Sequence, residues 1–147
     1  MDERRLRVLV IDDEPDVLLL CRVNLSLAGM DVIEAGDGES GIEAALRELP
    51  EAIILDVMMP RMDGYTALRE LKRRPSTAGI PVIMLTAKTQ REDQIQGWAV
   101  GVAEYVTKPF APGELAEAVT RVASMSPEEL HTRRMNTLSG LSVARSA

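Results

Sequence analysis

Acid, hydroxyl and amine side chains follow apolar runs at four places in this 147-residue chain. Asp12 and Asp13 follow Leu9-Val10-Ile11, Asp56 follows Ala52-Ile53-Ile54-Leu55, Thr86 follows Val82-Ile83-Met84-Leu85, and Lys108 follows Val106-Thr107. A carboxylate directly after four apolar residues is costly unless it meets a cation or hydrogen-bond donors, which makes Asp56 the hardest of these to dismiss. If the acids converge from two strands, their mutual repulsion calls for a hard divalent ion with oxygen ligands. Magnesium, which keeps several waters, fits best, and manganese is the alternative. Beside such an ion, Asp56 is the carboxylate that a phosphoryl group could reach, and aspartate is a known covalent acceptor of phosphate. Phosphoryl transfer asks the protein mainly for positioning and positive charge. Lys108 would add a mobile point charge, and the Thr86 hydroxyl would donate to a phosphoryl oxygen.

Each residue also has a purely structural use. Asp12 and Asp13 could serve the positive end of a helix beginning at Pro15. Thr86 could cap the helix that follows it. Lys108 could be a solvated strand-end lysine. These uses, taken one by one, leave unexplained why all the residues fall at strand ends.

The elements that must carry them are legible from periodicity. Residues 6–11, 52–55 and 81–85 are short apolar runs of the kind that strands buried on both faces require. Residues 31–35 and 104–107 fit weaker strands. Between the runs, apolar residues recur at helical spacing: Val17, Leu18, Cys21, Leu25 and Ala28, with Pro15 near the start and Gly29 past the end; then Ile42, Ala45, Leu46 and Leu49 before Pro50; Leu68 and Leu71 before Pro75; and Leu115, Ala118, Val119 and Val122. Strand and helix thus alternate to give a doubly wound α/β domain, a parallel sheet with helices on both faces. In such sheets function gathers beyond the carboxyl ends of the strands, where strand order reverses.

Composition narrows the function classes. A net charge of −6 argues against a surface built to hold phosphate backbones, so no nucleic-acid contact is expected from this chain itself. Cys21 is the only cysteine, which excludes an internal disulfide and suits a reducing compartment, with the cytoplasm as the expectation. No apolar run approaches the roughly 20 residues of a membrane span, and Met1-Asp2-Glu3-Arg4-Arg5 lacks a signal peptide's apolar stretch.

From Ser124 onward the pattern changes. Ser126-Pro127-Glu128-Glu129 is a capping-box start that predicts a short further helix, with a thin apolar stripe of Leu130, Leu138 and Leu141. A partly ordered extension, a linker to an output module and a dimer contact all remain open. His131 reads as a surface residue, and Trp98, sharing a face with Ile95 and Val102, reads as core.

The residues together resemble the receiver domain of two-component response regulators, of the chemotaxis-regulator type. The pieces are Val10-Ile11-Asp12-Asp13-Glu14-Pro15, Leu55-Asp56-Val57-Met58-Met59-Pro60-Arg61-Met62-Asp63-Gly64, Leu85-Thr86-Ala87 and Tyr105-Val106-Thr107-Lys108-Pro109-Phe110. The resemblance covers about residues 6–123 and implies a receiver domain over residues 1–123 with a tail over 124–147. It implies a flavodoxin-like five-stranded parallel sheet of order 2-1-3-4-5 with five helices, and the tail would add its short helix. It further implies that Asp56 accepts phosphate from a sensor histidine kinase or phosphotransfer protein. Asp13, Asp56 and the Met58 backbone carbonyl would ligate Mg2+ or Mn2+ directly, and Asp12 through water. Thr86 and Tyr105 would be a switch pair, with a fixed half-buried ring as the lesser alternative for Tyr105. Lys108-Pro109 would be a cis peptide, Met58-Met59-Pro60 would shape the loop presenting Asp56, and Gly64 would permit its tight turn. Met58 and Lys88 occupy positions that tune phosphate lifetime in relatives. The chain departs from the family at Gly101-Val102-Ala103-Glu104-Tyr105, where many relatives read Gly-Ala-Asp-Asp-Tyr.

The expected function is therefore a phosphorylation-driven signalling switch and not a turnover enzyme, with an unidentified downstream protein partner, no membrane partner, and self-association open. One alternative is a receiver-like module that binds partners without phosphate. Another is a phosphohydrolase with an aspartyl-phosphate intermediate, which usually needs an acid two residues past the nucleophile, where this chain has Met58.

Overall fold

A computed structural model describes the backbone of residues 5–87 and 91–146, and side chains over 5–87 and 95–140. Five parallel strands, β1 (Arg7–Ile11), β2 (Asp31–Ala35), β3 (Ala52–Asp56), β4 (Val82–Thr86) and β5 (Glu104–Thr107), form one sheet in the order β2-β1-β3-β4-β5. Six helices follow them in turn: α1 (Pro15–Leu27), α2 (Gly38–Glu48), α3 (Gly64–Arg73), α4 (Arg91–Val100), α5 (Glu114–Ala123) and α6 (Pro127–Ser146). This is the flavodoxin-like arrangement. Its strand order reverses between β1 and β3, which opens a crevice at their carboxyl ends.

Alternation along the strands divides the core into two layers. Leu9, Ile11, Ile53, Leu55 and Met84 pack with residues of α2 and α3, and with Trp98 of α4. Val8, Val10, Ile54, Ile83 and Leu85 pack with residues of α1 and α5. The uninterrupted apolar runs of β1, β3 and β4 are therefore explained: these strands are covered on both faces, whereas β2 and β5 at the sheet edges are partly exposed.

The periodicity misjudged some details. Leu46 and Leu49 are exposed, and Leu49, at φ 46, ends α2 in the left-handed region; Ala44 joins Ile42 and Ala45 in the buried stripe instead. Val102 is buried although it lies beyond the end of α4. Gly29, at φ 84, stops the chain after α1 as its position suggests.

The tail helix is long, not short: α6 runs for 20 residues. Its start is a capping box. The Glu129 N–H donates to Ser126 Oγ at 3.1 Å, and the Ser126 N–H donates to Glu129 Oε1 at 2.9 Å. Leu130 packs against the α1/α5 layer and Leu138 against the α2/α3/α4 layer, both only partly buried. A fully buried leucine contributes about 2 kcal/mol, so these two supply less than that each. The side chain of Leu141, Lys88 and residues 1–4 lie outside the described residues.

Candidate functional site

The strand reversal brings the ends of β1 and β3 side by side, with Ile11 registered on Leu55, so the next residues, Asp12 and Asp56, become neighbours. Ligand oxygens of Asp12, Asp13 and Asp56 all lie within 4.8 Å of one another. Asp12 and Asp56 are buried, whereas Asp13 faces solvent. From beyond β5, Lys108 reaches across β4 and donates to Asp56 Oδ1 at 3.1 Å and to Asp12 Oδ2 at 3.3 Å. Its backbone N–H is anchored by the Thr86 carbonyl at 2.7 Å, and Lys108-Pro109 is cis. Thr86 ends β4 and is itself buried.

Charge at this rim is out of balance. Burial, followed by the neighbouring charge of Asp12, pushes Asp56 up to about 6, and Lys108 offsets only part of that. Burial likewise raises Asp12, against the Glu14 N–H and Lys108. Desolvation alone would lower Lys108, but the Asp56 and Asp12 carboxylates outweigh it and hold the ammonium above its ordinary value. Asp56 Oδ2 is buried and has no hydrogen-bond partner among the described residues. An orphaned carboxylate oxygen beside two further carboxylates fits a hard divalent cation with oxygen ligands.

The loop after Asp56 is built differently from the expectation. Met59 is buried and anchors it, Met58 is exposed, and Arg61 at φ 68 makes the left-handed turn, closed by the Met62 N–H on the Pro60 carbonyl at 2.8 Å. Gly64 does not adopt a positive φ; it is needed for room, since a Cβ there would overlap the Asp56 carbonyl oxygen. Glu14 was read only as part of a motif, yet its carboxylate lies 3.8 Å from Lys108 Nζ.

Tyr105, half-buried, meets the Tyr65 hydroxyl at 3.1 Å and the Trp98 ring edge-on, with centroids 6.2 Å apart at 64°. Its hydroxyl lies so close to Gly97 that any Cβ there would overlap it. Trp98 is buried as its helical spacing suggests, and His131 is exposed with Nδ1 3.1 Å from the Arg134 guanidinium.

A second buried acid, Glu104, opens β5. It accepts from Arg121 Nε at 2.9 Å and from Arg133 Nη2 at 2.6 Å, with a further bond from Arg121 Nη2. Burial would raise its pKa, but the two guanidiniums prevail and hold it below the usual value. The sequence showed Glu104 only as a departure from a family pattern; its partners stand 17 and 29 residues away.

A flavodoxin-like sheet with an acidic crevice at its reversal point and a lysine reaching in from β5 defines a signalling-domain architecture. Over residues 8–120 the sequence matches the response regulator receiver domain, and the chain belongs to that family, a family of regulatory domains. It is 44% identical over 119 residues to the "DNA-binding dual master transcriptional regulator RpaA" of Synechocystis, covering 81% of this chain and 48% of that protein. The chain thus spans about half the length of the curated relatives it matches. Among solved structures it resembles the chemotaxis protein CheY4 of Vibrio cholerae, with 31% identity, a TM-score of 0.78, and coverage of 81% of this chain and 99% of that one. It also resembles the receiver domain of a Pseudomonas aeruginosa sensor histidine kinase, described with a magnesium ion coordinated in its active-site cleft. That pair shares 28% identity with a TM-score of 0.77, over 83% of this chain and 100% of the other.

Proposed function

We propose that this chain is a phosphorylation-activated switch of a two-component or phosphorelay system, with Asp56 as the phospho-acceptor. The observation that carries the reading is the orphaned Oδ2 of buried Asp56, beside Asp12 and Asp13 and opposite Lys108. The Asp56 carboxylate attacks phosphorus, the bond from phosphorus to the donor's imidazole nitrogen breaks, and that nitrogen leaves with the electron pair. Asp13, Asp56 and the Met58 carbonyl would hold Mg2+ directly, and Asp12 through water, with Mn2+ as a substitute. Bound there, the ion supplies positive charge to the phosphoryl oxygens. Lys108 would orient Asp56 and offer a second positive centre, and the Thr86 hydroxyl would donate to the phosphoryl group.

Tyr105 with Thr86 would form the responsive pair, because a phosphoryl group charged about −1.5 to −2 recruits donors at the strand ends. A histidine kinase or phosphotransfer protein would supply the phosphoryl group. In support, α1 begins beside the acids and exposes Leu19, Leu20, Val23 and Leu27 in one apolar row, a surface suited to a helical partner. A phosphohydrolase is disfavoured, since Met58 is exposed and carries no proton to exchange. We read residues 1–123 as the receiver unit and 124–147 as an extension with no nucleic-acid role of its own. A cytoplasmic setting suits Cys21, which burial, then Asp12, pushes up to about 12 and leaves inert. Among the described residues, no helix is long and apolar enough to cross a membrane.

Incubation with magnesium and acetyl phosphate should add one phosphate by mass, and Asp56→Asn should abolish it. Modification that persists in the variant would refute the assignment.

A further inference from the structure

The tail helix is fastened to the surface formed by α4 and the start of β5, and its fastening is unusual for a permanent element. One part is the Arg133 guanidinium on Glu104 at 2.6 Å. The other is the two partly buried leucines, Leu130 and Leu138. The rest of the described helix face is polar, and a helix with so narrow an apolar stripe holds its place only where it is docked.

Arg121 belongs to α5, so its bond to Glu104 does not run through α6. Lifting α6 therefore leaves no buried carboxylate without a cation, which is the usual obstacle to opening a buried ion pair. Arg133 itself is partly exposed and returns to water readily.

The seat is also connected to the acidic rim. α6 packs on α4. That helix carries Trp98, whose ring meets Tyr105, and Gly97, against which the Tyr105 hydroxyl is pressed. Tyr105 lies on the strand that leads directly to Lys108, the lysine holding Asp56. Any displacement of the Tyr105 ring must shift what α4 presents to α6, because packed side chains exchange between discrete arrangements instead of deforming smoothly.

We propose that α6 is a detachable strap: it occupies the α4–β5 surface through Arg133 and Glu104, and phosphorylation of Asp56 releases it. The inference rests on the phospho-acceptor reading given above. It differs from a tail that is merely ordered, because it makes α6 docking and phosphorylation thermodynamically linked.

Amide hydrogen exchange on the full chain, with magnesium and with or without beryllofluoride as phosphoryl mimic, tests it. Amides of residues 130–138 should exchange about tenfold faster with the mimic. Arg133→Ala should show the faster exchange without it, and Arg133→Lys should fall between. If Arg133→Ala leaves α6 mostly undocked, linkage requires that variant to bind beryllofluoride more tightly, by up to the factor by which the mimic loosens α6. If the segments around Asp12 and Asp56 gain protection with the mimic while residues 130–138 do not change, the strap is wrong and the phospho-acceptor stands. If Arg133→Ala exchanges like the parent chain, the Glu104 clamp is refuted. No response in either region would overturn both readings.

Discussion

Two buried acidic centres occupy this sheet, and their electrostatics are opposite. At the carboxyl-end rim, Asp12, Asp13 and Asp56 share Lys108, and burial leaves Asp56 raised to about 6. At the start of β5, Glu104 alone holds two guanidiniums and is depressed below its ordinary value. Both sites hold buried carboxylates and both are hydrogen-bonded, so burial does not separate them. What does is the ratio of cations to carboxylates. The rim lacks positive charge and is completed by a ligand; the Glu104 centre is already complete and serves as a joint between elements.

The largest effect expected is at the complete centre. Glu104→Gln removes the buried anion that Arg121 and Arg133 share, and should cost about 3 kcal/mol by denaturant unfolding, the low end for a broken buried pair because both arginines keep an edge in water. A neutral result would break the contrast. At the rim the sign reverses. Asp56 is raised in the folded state from an ordinary 3.8 to about 6, so its folded form favours the proton. The stability this gives is fully present below the unfolded value and lost as pH rises through about 6. With chelator present, Asp56→Asn should therefore stabilise the chain by about 2 kcal/mol at pH 7.5, with the gain vanishing below about pH 4. The smallest effect sharpens the same point. Asp13→Asn should weaken Mg2+ binding about tenfold, or 1.4 kcal/mol, in a titration followed by the fluorescence of buried Trp98.

The acids and Thr86 of the rim were legible in the sequence because β1, β3 and β4 are buried on both faces. A polar residue directly after an apolar run then marks a strand's end, and the strand order brings those ends together. The doubly wound class followed from the same runs, whereas the strand order came from the resemblance to receiver domains. Glu104 was not legible in this way, since its meaning depends on which faces α5 and α6 present, and those are settled by long-range packing. The docking of α6 was hidden for a related reason: an ion pair and only two leucines hold it, and periodicity detects only broad stripes. Leu46 and Leu49 misled in the other direction, because helical spacing alone does not say where a helix ends or how much of it the sheet covers.

The length of α6 matters once its anchor is known. Arg133 sits near the first third of a 20-residue helix, and at 1.5 Å per residue roughly 20 Å of rod extends past that point. Pivoting by ten degrees about the anchor would carry the far end about 3 Å, a lever that turns a side-chain-sized event near β5 into a displacement large enough to be felt by whatever touches the tip.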